Sequence, residues 1–147
     1  MVSPKPARRI FLDSSVLYAA AFSATGPARR LLLKGLAGSV HLTISDLVLA
    51  ETKRNLKKNA PSALPSFTIL ADLLSPVIAN PTKGQVLKAA QLVHYKDAPI
   101  VAAAAKAKAA YLAIHDVKHL LAQAQAIEQA YGITVLPPAE VLRILTN

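Results

Sequence analysis

The sequence predicts an α/β fold, a three-layer α/β/α sandwich around a central, mostly parallel sheet. Two observations carry that expectation. Short runs rich in branched and aromatic residues alternate along the chain with longer segments of helical periodicity, the pattern of repeated strand and helix units. The 147 residues, 53% of them apolar, form one domain able to bury a sizeable core without cross-links.

Taken in order, MVSPKPA (1–7) is a proline-bearing, loose tail, and the single domain runs over 8–147. RIFLD reads as the first strand. GPARRLLLKGLAG gathers Leu32, Leu33 and Leu36 on one face between bracketing glycines and reads as a helix. SVHLTIS alternates and makes a second strand. DLVLAETKRNLKK has Leu47, Val48 and Leu56 near helical spacing, Asp46 at the positive end and lysines toward the other. Asn55 to Pro65 carries a loop signal, SFTILADLLS reads as a short helix, PVIAN as a strand and TKGQVLKAAQLVHY as a further helix. DAPIVAAAAKAKA opens with Asp97 at an N-cap position and Pro99 in the first turn. YLAI is then a strand, HDVKHLLAQAQAIEQAYG a helix closed by Gly132, ITVLP a last strand and AEVLRIL a terminal helix.

Composition narrows the function classes. Seventeen Lys and Arg against eight Asp and Glu give a formal charge of +9, which favours a polyanionic partner. Three Phe and four Tyr, scattered, do not suggest a base-stacking platform, so nucleic-acid contact is expected to lean on phosphates. The absence of cysteine excludes disulfides and thiolate metal sites, and a cytoplasmic location is the expectation. KPARR followed by an apolar run has the outline of a secretory signal, but Asp13 interrupts it. Lys106 and Lys108 keep the alanine-rich segment short of the roughly 18 apolar residues of a membrane span, so no membrane association is expected.

Four of the eight acids stand out by position. Asp13 follows strand RIFL and Asp116 follows strand YLAI, so in a parallel sheet both reach the same edge and face one crevice. Glu51 lies in an apolar helical stretch, and Asp97 heads the alanine-rich helix. Four clustered carboxylates cannot all stay charged unaided, and a hard divalent cation, Mg²⁺ or Mn²⁺, resolves the repulsion with oxygen ligands alone. Each acid also has a plainer reading: Asp13, Asp97 and Asp116 as helix caps, and Glu51 as a solvated partner of Lys53 or Arg54.

IFLDSSVL, SDLVLAE, KDAPIVAAA and YLAIHDVKHL resemble, in order and spacing, the motifs of PIN-domain nucleases, and ITVLPPAEVL resembles the tail of the subgroup described as toxin components of toxin–antitoxin pairs. The likeness runs from about Arg8 to Leu145. It implies a PIN-like domain whose acidic quartet falls on Asp13, Glu51, Asp97 and Asp116, binds Mg²⁺ or Mn²⁺ and cuts RNA as an endonuclease. Asp13 and Asp116 would be the central ligands, with Glu51 and Asp97 supporting them or holding bound water. A cognate antitoxin and a homodimer are the partners the family implies. Two positions depart from its pattern: Ser15 stands where Asn is common, and Ile114 where Thr or Ser is frequent.

Around this quartet, Ser15, Ser45, His115 and His119 are candidate supporting residues. Ser45 also reads as an N-cap and the two histidines as helix-surface residues, while His41 and His94 read as structural or solvated. Setting the quartet aside leaves 17 basic against 4 acidic side chains, a formal +13 around an acidic pit. Arg29, Arg30, Lys53, Arg54, Lys57, Lys58 and Lys118 are the candidate RNA-phosphate contacts. An aspartate-nucleophile phosphatase wants a second acid where Ser15 stands, a receiver domain wants paired acids after the first strand, and a phosphate loop wants glycines that are absent. The remaining rival is a PIN-like module of weak or no activity that binds RNA or protein.

Overall fold

A computed structural model describes residues 8–115, 118 and 120–146. Its centre is a five-stranded sheet in which every strand pair is parallel. The strands are β1 (Arg8–Leu12), β2 (Val40–Ile44), β3 (Val77–Ile78), β4 (Tyr111–Ala113) and β5 (Thr134–Leu136), and they lie side by side in the order β3-β2-β1-β4-β5. Central β1 carries the continuous apolar run of a strand covered on both faces, with Ile10, Phe11 and Leu12 all buried. Its neighbours are held in register by Ile10 opposite Leu42 on one side and Tyr111 on the other.

The connections explain the layers. From β1 the chain passes through α1 (Ser14–Phe22) and α2 (Pro27–Leu36) to β2, then through α3 (Asp46–Asn59), a 3₁₀ turn (Pro61–Ala63) and α4 (Leu64–Leu74) to β3. It returns through α5 (Lys83–Ala89) and α6 (Ala98–Lys106) to β4, on the far side of β1, then through α7 (Leu121–Tyr131) to β5 and α8 (Pro138–Leu145). Right-handed crossovers put helices on one face when the chain steps in one direction and on the other face when it steps back. Accordingly α1, α2, α3 and α4 pack together, while α5 packs on α6. Helix α6 is buried along nearly its whole length because Ala98 and Ala102 to Ala104 leave little bulk between it and the sheet.

Local chemistry sets the ends. Ser45 accepts the Val48 N–H at 3.2 Å and starts α3. Thr82 and Gln85 form a reciprocal capping box at α5. Gly132, in the left-handed region at φ 69°, closes α7 as its position suggests.

Several boundaries differ from expectation. The loop expected over Asn55 to Pro65 is largely helical: α3 continues through Asn59, and only the short 3₁₀ turn separates it from α4. Leu56 explains this, since it is fully buried two turns beyond buried Val48, and that packing overrides the weak helix propensity of the asparagines. Helix α5 ends at Ala89, and the rest of the expected TKGQVLKAAQLVHY helix forms turns. The helix expected from His115 onward begins, as far as it is described, at Leu121. The expected tail, 1–7, lies outside the described residues, as do Asp116, Val117, His119 and Asn147.

Candidate active site

The strand order reverses beside β1, with β2 and β3 on one side and β4 and β5 on the other. In a doubly wound sheet that reversal opens a crevice outside the carboxyl ends of the two central strands. Asp13 stands there. Leu12 pairs with Ala113, and the Asp13 N–H donates to the Ala113 carbonyl at 3.0 Å, extending the ladder by one bond.

Asp13 is the N-cap of α1. Its backbone is extended, and its Oδ2 accepts the Ser15 N–H at 3.1 Å and the Ser15 hydroxyl at 2.6 Å. The same hydroxyl accepts the His115 N–H at 3.0 Å. Ser15 therefore ties the segment leaving β4 to the carboxylate leaving β1, and it supplies the side-chain hydrogen bond that an Asn at this position could also give.

Glu51 reaches this edge from α3. Ser14, in the first turn of α1, donates its hydroxyl to Glu51 Oε2 at 3.0 Å, so consecutive serines hold one carboxylate each. Glu51 is half-buried and forms no ion pair with Lys53 or Arg54, both of which are exposed. Ser14 was not among the sequence candidates; the signal for it was its place immediately after a capping Asp, where a first-turn side chain faces the crevice.

Asp97 occupies the N-cap position of α6, but its side chain makes no capping bond. It is half-buried, and its Oδ2 is inaccessible to solvent. Helix α6 leads into the amino end of β4, where the Ala110 N–H donates to the Arg9 carbonyl at 2.8 Å, so its first turn and Asp97 lie toward the carboxyl ends. Asp116 and His119 lie outside the described residues. The segment toward Asp116 is directed by Ile114, whose N–H donates to the Leu136 carbonyl at 3.1 Å, and then by the bond from His115 to Ser15.

Ser45 is buried and serves as the α3 cap. His115 is exposed, and it contributes its backbone N–H to the site. Among the phosphate candidates, Arg30, Lys53, Arg54, Lys57, Lys58 and Lys118 are exposed, four of them on α3. Arg29 is half-buried, with Nε donating to the Ala20 carbonyl at 2.7 Å, so it secures α2 to the last turn of α1.

The donor chemistry fits a hard cation: carboxylates and hydroxyls only, with Asp13 and Glu51 each held through one oxygen while Oδ1 and Oε1 accept no hydrogen bond from the described residues. Among the described residues no three His, Asp or Glu side chains form a metal-binding group, and Asp97 is not brought into one with Asp13 and Glu51. Beside the serines an open groove of about 670 Å³ runs between α1 and α3, lined by Ser14, Ser15, Tyr18, Phe22, Asn55 and Asn59 among others. The rings of Tyr18 and Phe22 stack with centroids 6.2 Å apart and planes within 6°. The aromatic residues are thus less scattered than the composition suggests, and the signal for this pair was their spacing of four on one helix. Among the described residues no helix is long and apolar enough to cross a membrane. No protein-family model matches this chain, and no curated protein matches its sequence.

Proposed function

We propose that this protein is a metal-dependent endoribonuclease of the PIN type, in which Asp13, Glu51, Asp97 and Asp116 hold Mg²⁺ or Mn²⁺. The observation that carries the reading is the convergence of Asp13 and Glu51, from separate elements, on the carboxyl edge of the sheet at its topological switch point. The resemblance of the four motifs to PIN-domain nucleases and the formal charge of +9 support it.

In this reading each residue has a physical task. Asp13 and Glu51 present one oxygen each to the cation, and Ser15 and Ser14 fix their rotamers through the opposite oxygens. Asp97 adds charge at the head of α6, and Asp116 adds it after β4. The α3 cations Lys53, Arg54, Lys57 and Lys58 draw the RNA backbone toward the edge and offset its charge. A bound Mg²⁺ or Mn²⁺ supplies Lewis acidity and an activated water for phosphodiester hydrolysis. A toxin role, with an antitoxin covering the crevice, and a homodimer follow from the resemblance alone.

The test is cleavage of a labelled mixed RNA pool by the purified chain with Mn²⁺, Mg²⁺ or EDTA, beside Asp13→Asn. Cutting that needs the metal and disappears in the variant is the expected result. A second reading, RNA or protein binding without cleavage, draws on Ile114, which packs against the core and offers no hydroxyl near the site. RNA bound equally well by both proteins and cut by neither would establish it.

A further inference from the structure

We propose that the groove between α1 and α3 holds a single-stranded segment of RNA, with a base stacked on the Phe22 and Tyr18 rings, and thereby selects the nucleotides beside the bond that is cut. This rests on the ribonuclease reading of the adjoining site.

Two rows of side chains define the groove. Ser14, Tyr18 and Phe22 follow one another at intervals of four residues on α1, and Glu51, Asn55 and Asn59 do the same on α3. Residues at that spacing share a helix face, so each row is a straight rail about 12 Å long at the ordinary helical rise. The rails meet where Ser14 donates to Glu51 at 3.0 Å, which is the candidate active site. A strand lying between them is continuous with the bond to be cut.

The walls differ in chemistry, and together they match one class of occupant. The α1 wall is aromatic: Phe22 is 69% exposed and lies parallel to Tyr18, offering a flat apolar face. The α3 wall offers the carboxamides of Asn55 and Asn59, which both donate and accept and so suit the edges of a base. Arg54 and Lys58 lie three residues beyond Glu51 and Asn55 on the adjoining stripe and are exposed, where they can meet phosphates. Glu51, at the junction with the active site, is the only acid of either rail. A stacking face, hydrogen-bonding amides and flanking cations are what unpaired RNA engages. An aromatic ring so exposed on the groove wall is accounted for by this occupant.

The experiment measures the affinity of the full chain for short fluorescein-labelled single-stranded RNAs in EDTA, where binding is separated from cutting. Phe22→Ala is expected to weaken binding about tenfold or more, and Phe22→Leu nearly as much, because the loss is of the ring and not of apolar bulk. Asn55→Ala should alter the ranking among homopolymeric RNAs. Lys83→Ala, exposed on α5 away from the groove, should change affinity little. Unchanged affinity and unchanged ranking in the Phe22 and Asn55 variants would overturn the proposal. So would Phe22→Ala converting a dimer into a monomer at unchanged RNA affinity, which would make the patch an interface between copies. Mn²⁺ then separates the two ideas: RNA bound through Phe22 but never cut upholds the groove and sinks the ribonuclease reading, whereas RNA cut with the same products by wild type and Phe22→Ala does the reverse.

Discussion

Helices α1 and α6 both start with an aspartate toward the carboxyl edge of the sheet, and both bury most of their length against it. Their first turns are nevertheless built differently. Asp13 has an extended backbone, φ −73° and ψ 159°, which swings its carboxylate onto the Ser15 N–H. Asp97 is in the helical region, φ −91° and ψ −17°, and makes no capping bond. The reason lies upstream. The His94 carbonyl already accepts the N–H groups of Asp97 and Ala98 at 2.9 and 3.1 Å, and Pro99 has none to offer, so the first turn of α6 has little need of a cap. An aspartate at a helix start is explained by capping at α1 and not at α6, and only substitution tells whether capping is all that Asp13 does.

Asp13→Asn makes that separation and carries the largest expected effect. Asn caps a helix about as well as Asp, so the fold should persist, while the charge of the proposed metal ligand is lost. Residues one step removed from a metal already change activity 10–100-fold, so the rate with Mn²⁺ should fall by more than about a hundredfold. Asp13→Ala loses the cap as well, about 1 kcal/mol, which lowers the melting temperature by roughly 2–4 °C in a domain of this size. An Asn variant that cuts RNA at the wild-type rate would reduce Asp13 to a cap and erase its difference from an ordinary helix start.

The serines come next. Ser15 alone touches three parts of the edge: the Asp13 carboxylate, the start of α1 and the His115 amide. Ser15→Ala should raise the Mn²⁺ concentration needed for half-maximal cleavage about tenfold and destabilise the chain by about 1 kcal/mol, readable in a metal titration and a thermal melt. Ser14→Ala removes one bond to a half-buried carboxylate, and its shift in the same titration should be smaller. No shift in one or both variants would show that the two carboxylates are not held for a common ion.

The site was legible only in part. The alternation of strands and helices predicted the layers and the parallel sheet, in which RIFLD and YLAI turn out to be neighbours. What the sequence could not supply was any pairing between distant hydroxyls and acids, because Ser14 and Glu51 lie 37 residues apart and no periodicity links them. The extension of α3 to Asn59 was missed because asparagine and lysine mark loops in composition, while the burial of Leu56 that keeps the helix intact is a tertiary fact. Tyr18 and Phe22 were counted as scattered aromatics, although four-residue spacing inside a helix makes them neighbours. Arg29 looked like a surface cation because its anchor, the Ala20 carbonyl, belongs to a different helix.

Asp97→Asn carries the smallest expected effect and bears most directly on α6. The substitution keeps shape and hydrogen-bonding capacity and removes charge, so its structural consequence includes loss of the favourable interaction of an anion with the helix N-terminus, about 0.3–1 kcal/mol. That loss by itself lowers the melting temperature by up to roughly 2–4 °C. If Asp97 supports the cation or its bound water, cleavage should still fall about tenfold, with the loss partly recovered as Mn²⁺ is raised. A lower melting temperature with unchanged cleavage at every Mn²⁺ concentration would make Asp97 a structural acid after all. The two helix starts would then differ in function as well as in build, with the catalytic charge on the β1 side alone.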